Sequence, residues 1–317
     1  MKAAVVYEAG GTEKLVYQDI VMPEMKKSWS LVKVKGFGIN HSEIFTREGK
    51  SPSVKFPRIL GIECVGVIEK TTDAKSLPIG QKVVSIMGEM GRAFDGSYAE
   101  YILLPNEQIY PVETNLSWTE LATIPETYYT AYGSMQNLQL LETDTVLVRG
   151  TTSGVGIAFL NLVKAKFPNL VLDGTSRNMA KNKSLLAAGF SDVVMDLNGE
   201  LQTDNAYTKI FELIGPATIK DSFHHLKERG ILCSTGQLGE KWYLEAFDPI
   251  IDLQKNSYLT SFYSGNVDGG KLNELLRFII EFNIEIKPEK IFKLDEIQEA
   301  HEYLQSKHSF GKIIVLV

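Results

Sequence analysis

Thr145–Gly156 reads TVLVRGTTSGVG. It opens with a β-branched and apolar run, Val146-Leu147-Val148, and breaks into small residues from Gly150 to Gly156. Apolar residues then recur at Val155, Ala158, Phe159, Leu162 and Val163, a spacing that forms one face of a helix. Strand, small-residue turn and helix together make an anion site: the turn admits close approach, and the helix start presents free N–H groups and a favourable dipole. As a match to G-x-G-x-x-G the stretch is poor, because Thr151 and Ser153 occupy the first two glycine positions. An ordinary strand-to-helix turn is the competing reading, so the surrounding chain has to choose.

Downstream, strands are expected at 146–149, 170–173, 192–195, 209–213, 230–234 and 258–262. Helices are expected near 155–166, 178–188, 217–227 and 270–282. Strands alternating with helices give βαβ units and a parallel sheet. Six such strands fit a doubly wound dinucleotide fold, with the turn after its first strand, where a pyrophosphate site belongs. Upstream, the first 110 residues or so read as β. Leu31–Lys35 alternates, Ile59–Glu69 is apolar but carries Gly61 and Gly66, and Lys82–Met87 and Ser97–Leu104 are further strands. Ser117-Trp-Thr-Glu120 is a capping box, opening a helical region that runs through Pro125 to about Asn137. The tail, Lys312–Val317, reads as a strand that rejoins the N-terminal β domain.

Composition sets outer bounds. The 317 residues predict two domains. A net charge of -6 argues against binding nucleic-acid phosphates. No apolar run is long enough for a membrane span, and Ala3–Tyr7 is too short for a signal core. Cys64 and Cys233 form neither a disulfide framework nor a metal-binding pair, which favours the cytoplasm.

The second cofactor signal lies past the turn. An acid there would hold a ribose 2′-hydroxyl, and a cation a 2′-phosphate. Ser176, Arg177 and Lys181 follow the second strand and favour NADPH. Asp173 is the competing candidate, for NAD, although it sits further back along the strand. A solvated basic loop is the other alternative.

At this point the chain resembles the medium-chain dehydrogenase/reductase superfamily, in its zinc-free, quinone oxidoreductase type. The resemblance rests on Gly36–Asn40, Leu60-Gly-Ile-Glu-Cys-Val-Gly66, Asp95-Gly-Ser-Tyr-Ala-Glu-Tyr101, Tyr129-Thr-Ala-Tyr-Gly133, Ser153-Gly-Val-Gly156 and Phe310-Gly-Lys-Ile-Ile-Val315. It implies an α/β protein: a Rossmann doubly wound parallel sheet at 121–265, plus a GroES-like β-barrel domain at 1–120 completed by about 266–317. It implies a homodimer, a substrate cleft between the domains, and NADPH-dependent hydride delivery to a quinone. Reduction of an enoyl or alkenal double bond is the alternative, as is a non-catalytic NADPH-binding redox sensor.

The resemblance also assigns residues. Ser153, Gly154 and Val155 would hold the pyrophosphate, and Ser176, Arg177 and Lys181 the 2′-phosphate. Thr130, Gly236, Leu238 and Phe262 would also contact the cofactor, although Thr130 is equally a helix hydroxyl, Gly236 a turn, and Leu238 and Phe262 core. Asn40 would lie beside the nicotinamide and substrate, or else be a structural turn residue. Zinc-dependent relatives carry Cys where Asn40 stands, His where Ile62 stands, and Cys or His near Glu126. No zinc is therefore expected. Phe45 stands where quinone reductases often place a tyrosine, so no phenolic proton donor is available there. Ser42 aligns with a proton-relay hydroxyl of the zinc enzymes. His41 corresponds to a pyrophosphate-contacting position of the zinc enzymes, or else is a surface loop side chain; Met87, Met90, Phe94 and Trp242 are candidates for an apolar pocket, or else core and loop anchors.

Overall fold

The computed structural model describes residues 1–317, which divide into two compact units. The first comprises Met1–Tyr129, Ser264–Phe278 and Glu285–Val317; the second comprises Thr130–Tyr263 and Ile279–Ile284.

The chain begins with β1 (Lys2–Val6), β2 (Leu15–Asp19), β3 (Trp29–Gly38), α1 (His41–Arg47) and β4 (Arg58–Ile59). It continues through β5 (Glu63–Lys70), β6 (Lys82–Ile86), β7 (Tyr101–Pro105), β8 (Tyr110–Pro111), α2 (Trp118–Thr123) and α3 (Pro125–Leu138). The expected capping box is present at Ser117, whose hydroxyl accepts from the Glu120 amide while the Glu120 carboxylate accepts from the Ser117 amide. The helical region is split rather than continuous. Pro125 has no N–H to continue a helix but suits a first turn, so α2 stops and α3 starts there.

The second unit carries β9 (Thr145–Arg149), α4 (Gly154–Lys166), β10 (Val171–Ser176), α5 (Asn182–Ala188), β11 (Val193–Leu197) and β12 (Glu200–Leu201). β13 (Tyr207–Glu212), α6 (Ile219–His224), β14 (Leu226–Ser234), α7 (Pro249–Asp252) and β15 (Tyr258–Ser261) follow. The chain closes with α8 (Gly269–Glu281), β16 (Lys290–Lys293), α9 (Ile297–Gln305) and β17 (Ile313–Leu316).

In the second unit one sheet runs β12-β11-β10-β9-β13-β14-β15. Its ladders are parallel except β11 with β12. The chain winds outward from β9 through β10 and β11, then returns to the other side of β9 at β13. That reversal places the open end of β9 at a topological switch point, where ligands bind in such sheets. Val146, Leu147 and Val148 are fully buried, as a central parallel strand requires. Helix α4 packs its Ala158, Phe159, Leu162 and Val163 face inward, and Phe159 stacks on Phe211 of β13 at 4.3 Å. Val155, expected on that face, is instead half-buried at the helix start.

The first unit has a three-stranded sheet, β2-β1-β4, and a seven-stranded sheet, β16-β17-β3-β5-β6-β8 with β7 also on β3. The closing strand β17 does rejoin this unit, antiparallel to β3. The strand expected at Ser97–Leu104 is shorter, because residues 97–99 serve the other sheet. Tyr98 accepts from the Ala4 amide, Ala99 bridges Ala3, and the ladder to β3 starts only at Tyr101. His41 is not in a loop: it is the first residue of α1. Met90 belongs to the packed core of this unit and half-buried Phe94 packs against it, its ring edge-on to Trp29 at 5.1 Å.

Candidate functional site

In the second unit the turn after β9 is built by its own hydroxyls. Thr151 Oγ1 donates to the Val148 carbonyl at 2.8 Å and accepts the Thr175 amide at 2.6 Å, tying the turn to the end of β10. Ser153 caps α4: its Oγ accepts the Gly156 amide at 3.1 Å and donates to the Gly150 carbonyl at 2.7 Å. Through these two bonds Ser153 shapes the turn. The Gly154 and Val155 amides, on half-buried residues, have no acceptor in the chain and form the anion-binding face of the helix start. Gly156 must lack a side chain, since a Cβ there would lie 2.5 Å from the Thr151 carbonyl oxygen. This is a cradle suited to a pyrophosphate.

The other expected cofactor residues of this unit gather near the turn or near one another. Leu238 reaches over Gly150, whose Cβ would meet it at 3.4 Å. The Leu238 amide donates to the Leu213 carbonyl, and Gly236 to that of Glu212. Phe262 lies flush against Gly133, one helical turn after Thr130, with no room for a Cβ between them. Ser134 links this helix to Thr235 at 3.1 Å and back-bonds to the Thr130 carbonyl.

At the tip of β10, Ser176 Oγ donates to the Asn178 carbonyl and accepts the Asn178 amide, so it shapes the loop. Arg177 is exposed and forms no ion pair. Lys181 is half-buried in the short turn before α5. Asp173, the competitor, is spent elsewhere. It is buried within β10 and accepts from the Tyr207 hydroxyl at 3.0 Å, and burial raises its pKa.

The first unit holds a buried polar cluster around Asn40. Asn40 precedes α1 in an extended conformation without capping it, because its amide is engaged elsewhere. Its Nδ2 donates to Glu63 Oε1 at 2.9 Å and more distantly to Glu43 Oε1 at 3.4 Å. Its Oδ1 accepts from Lys312 Nζ at 2.7 Å. Lys312 also pairs with Glu63, whose other oxygen accepts the Glu126 amide at 2.7 Å. Glu43 is pushed up to about 7, first by burial and then by the neighbouring Glu63. Beyond it, Tyr98 stacks on Phe37 and shares a hydrogen bond with His301 Nε2 at 3.0 Å, while Arg47 meets His301 Nδ1 at 3.1 Å. Burial and then Arg47 push His301 down to about 3, so the ring is neutral.

Comparison with known proteins accounts for this combination. A family model described as the alcohol dehydrogenase GroES-like domain matches residues 26–114, and one described as zinc-binding dehydrogenase matches residues 172–315. The chain belongs to the medium-chain dehydrogenase/reductase family. Among similar proteins, the quinone oxidoreductase of Pongo abelii is 27% identical, over 100% of this chain and 98% of its own. The synaptic vesicle membrane protein VAT-1 homolog-like of Mus musculus is 26% identical, over 99% of this chain and 81% of its own. The solved quinone oxidoreductase of Coxiella burnetii shares the fold, with a TM-score of 0.84 at 24% identity, covering 100% of this chain and 99% of that one. The chain is thus an oxidoreductase of an NAD(P)-dependent family, pairing a GroES-like domain with a Rossmann-like parallel sheet.

The residues present do not fit the zinc that some medium-chain dehydrogenases carry. Ile62 offers no donor atom. The Asn40 oxygen and the Glu63 carboxylate already hold the Lys312 ammonium. No group of three or more His, Cys, Asp or Glu side chains is placed to hold a metal. Cys64 is a core thiol, pushed up to about 12 by burial and then by Glu63.

Sequence reading missed Lys312 and Glu43 as members of this cluster. Lys312 was visible only as the start of a terminal strand, and its 272-residue separation from Asn40 leaves no local signal. Arg149 was missed as well. It is fully buried at the end of β9, bonded to Asp196, Asp221 and Ser222. It anchors the residue immediately before the turn.

Proposed function

We propose that the chain is an NADPH-dependent reductase that delivers hydride to a quinone without a metal. The observation that carries the reading is Lys312, held by Asn40 and Glu63 within the set of residues that would otherwise receive a metal ion. A fixed ammonium there supplies positive charge but no open coordination position, so alcohol oxidation through a metal alkoxide has no support. Acceptors that are already electron-poor need no such activation.

The cofactor half of the reading rests on Arg177. It stands past the tip of β10, without a carboxylate partner, whereas Asp173 is turned to Tyr207. An unpaired guanidinium at that tip suits a 2′-phosphate, which it can meet through paired hydrogen bonds. The Gly154 and Val155 amides would take the pyrophosphate. When bound, the reduced nicotinamide supplies the hydride; the protein contributes orientation and electrostatics.

Asn40 has a narrower part than the resemblance implies. Its amide is drawn to Glu63 and Lys312, so it fixes the position of those charges. Its weakest contact, 3.4 Å to Glu43, is the one a substrate oxygen could replace. The reading is tested by steady-state reduction of quinones and α,β-unsaturated carbonyls with NADPH or NADH, with and without a chelator. NADPH-dependent turnover that resists the chelator supports it. Turnover that needs added zinc overturns it.

A further inference from the structure

We propose that Arg149 is a positioning residue for the dinucleotide: through Ser222 and Glu212 it holds residues 213–215 against the pyrophosphate turn, and so sets the affinity for the pyrophosphate-bearing part of the cofactor. The proposal rests on the reading of that turn as a nucleotide site, and every residue in it belongs to the second unit.

Arg149 is the last residue of β9, one position before Gly150, and it is completely buried. A guanidinium removed from water is costly unless its donors are met. Here every nitrogen is engaged. Nε and Nη2 donate to Asp196 Oδ2 at 3.1 and 2.9 Å, and Nη2 also donates to the Gly199 carbonyl at 2.9 Å. Nη1 donates to Asp221 Oδ2 and Ser222 Oγ, both at 2.8 Å, and to the Thr218 carbonyl at 3.2 Å. One edge of the fork thus faces β11 and its turn, and the other faces α6. A lysine ammonium, a single point with three donors, cannot serve both edges.

The α6 edge leads back to the turn. Ser222 Oγ accepts from Arg149 and donates to Glu212 Oε2 at 2.6 Å. Glu212 Oε1 accepts the Ile214 amide at 2.8 Å and the Gly215 amide at 3.2 Å. Burial raises the Glu212 pKa, and Arg149, Ser222 and these two amides act against it. The Leu213 amide donates to the Arg149 carbonyl at 3.1 Å. The path therefore leaves Arg149 by its side chain and returns to its backbone, enclosing residues 213–215. The carbonyls of that segment are used as well: Leu213 accepts from Leu238, Ile214 from Gly239 and Gly215 from Thr218. With its backbone groups satisfied inside the chain, the segment serves as a wall beside the turn. It stands at contact distance, since a Cβ on Gly150 would lie 2.9 Å from Leu213 Cβ. Slack in the wall is transmitted to Gly150, and through it to the turn whose Gly154 and Val155 amides face the anion. Arg177, past the tip of β10, lies outside this path.

The test uses the full chain and three ligands: NADPH, ADP-ribose, which keeps the pyrophosphate, and adenosine 2′-monophosphate, which lacks it. Ser222→Ala cuts the path without removing a charge. It raises the Kd of NADPH and of ADP-ribose about tenfold and leaves that of adenosine 2′-monophosphate within about twofold. Arg149→Lys gives the same pattern, and the double variant loses no more than the larger single loss, because both cut one path. Equal weakening of all three ligands, or unchanged binding of all three, in folded variants overturns the proposal. If the variants fail to fold, hydrogen exchange in the cofactor-free wild type decides. The Ile214 and Gly215 amides then exchange as slowly as those inside β13, and fast exchange overturns the proposal. Wild type that binds ADP-ribose but not adenosine 2′-monophosphate removes the 2′-phosphate assignment alone, and the ADP-ribose comparison decides. Wild type that binds neither NADPH nor ADP-ribose overturns the nucleotide reading, and this proposal with it.

Discussion

Lys312 Nζ lies 2.7 Å from Asn40 Oδ1, and the same ammonium pairs with the buried Glu63 carboxylate. The residue before the closing strand thus neutralises a charge carried by the first residue of β5. Removing one partner of a buried pair leaves an uncompensated charge, which costs about 3–5 kcal/mol. Lys312→Met should therefore lower the stability of the first unit by about that amount. Adding Glu63→Gln should recover much of the loss. Urea unfolding of the single and double variants measures both.

Arg177 is expected to act on one cofactor and not the other. A charge-assisted hydrogen bond contributes about 1.5–3 kcal/mol, or roughly tenfold to a hundredfold in affinity. Arg177→Ala should raise the NADPH Michaelis constant by at least tenfold and leave that for NADH within about twofold. Equal effects on both would remove the 2′-phosphate assignment.

Gly156 carries the close approach on which the turn depends. In Gly156→Ala the new methyl would collide with the Thr151 and Gly150 carbonyl oxygens, at 2.5 and 2.9 Å. The backbone has to move, and the Gly154 and Val155 amides move with it. Fluorescence titration should show loss of NADPH binding by tenfold or more, about 1.4 kcal/mol. The circular dichroism spectrum should keep its helix and strand content.

The parallel sheet was legible because each strand is a short apolar run separated by a helical period. β9, β11, β13 and β15 fall within two residues of the bounds expected from sequence, while β10 runs on to Ser176 and β14 starts early, at Leu226, where a helix was expected. The capping box at Ser117 was equally local. What was not legible depends on long-range pairing. Helix α1 is only seven residues long, and its N-cap side chain is engaged by Glu63 and Lys312, so neither its length nor its cap announces it. Of the residues expected to contact the cofactor, Leu238 lies over Gly150 and Phe262 against Gly133. Ser153 and Ser176 each also bond a nearby carbonyl, which shapes the turn and the loop and which sequence does not show.

Glu43 and His301 should give stability opposite dependences on pH. The Glu43 pKa is raised from 4.5 to about 7, so the folded state binds more protons than the unfolded state across that interval. Its contribution is fully present below about 4.5 and is lost as pH rises through about 7, by on the order of 3 kcal/mol. His301 is lowered from 6.5 to about 3, so its contribution is present above 6.5 and is lost as pH falls through about 3. Melting temperatures between pH 5 and 8 should show wild type losing stability relative to Glu43→Gln as pH rises. A constant difference would show that Glu43 does not titrate in this range.

The most direct test of the central claim is NADPH oxidation, followed at the nicotinamide absorbance, with quinones and α,β-unsaturated carbonyls, with NADH in parallel and a chelator control. The account predicts turnover that prefers NADPH and is unchanged by the chelator. Activity that is lost on chelation and restored by zinc would contradict it, and so would NADPH binding without turnover of any acceptor.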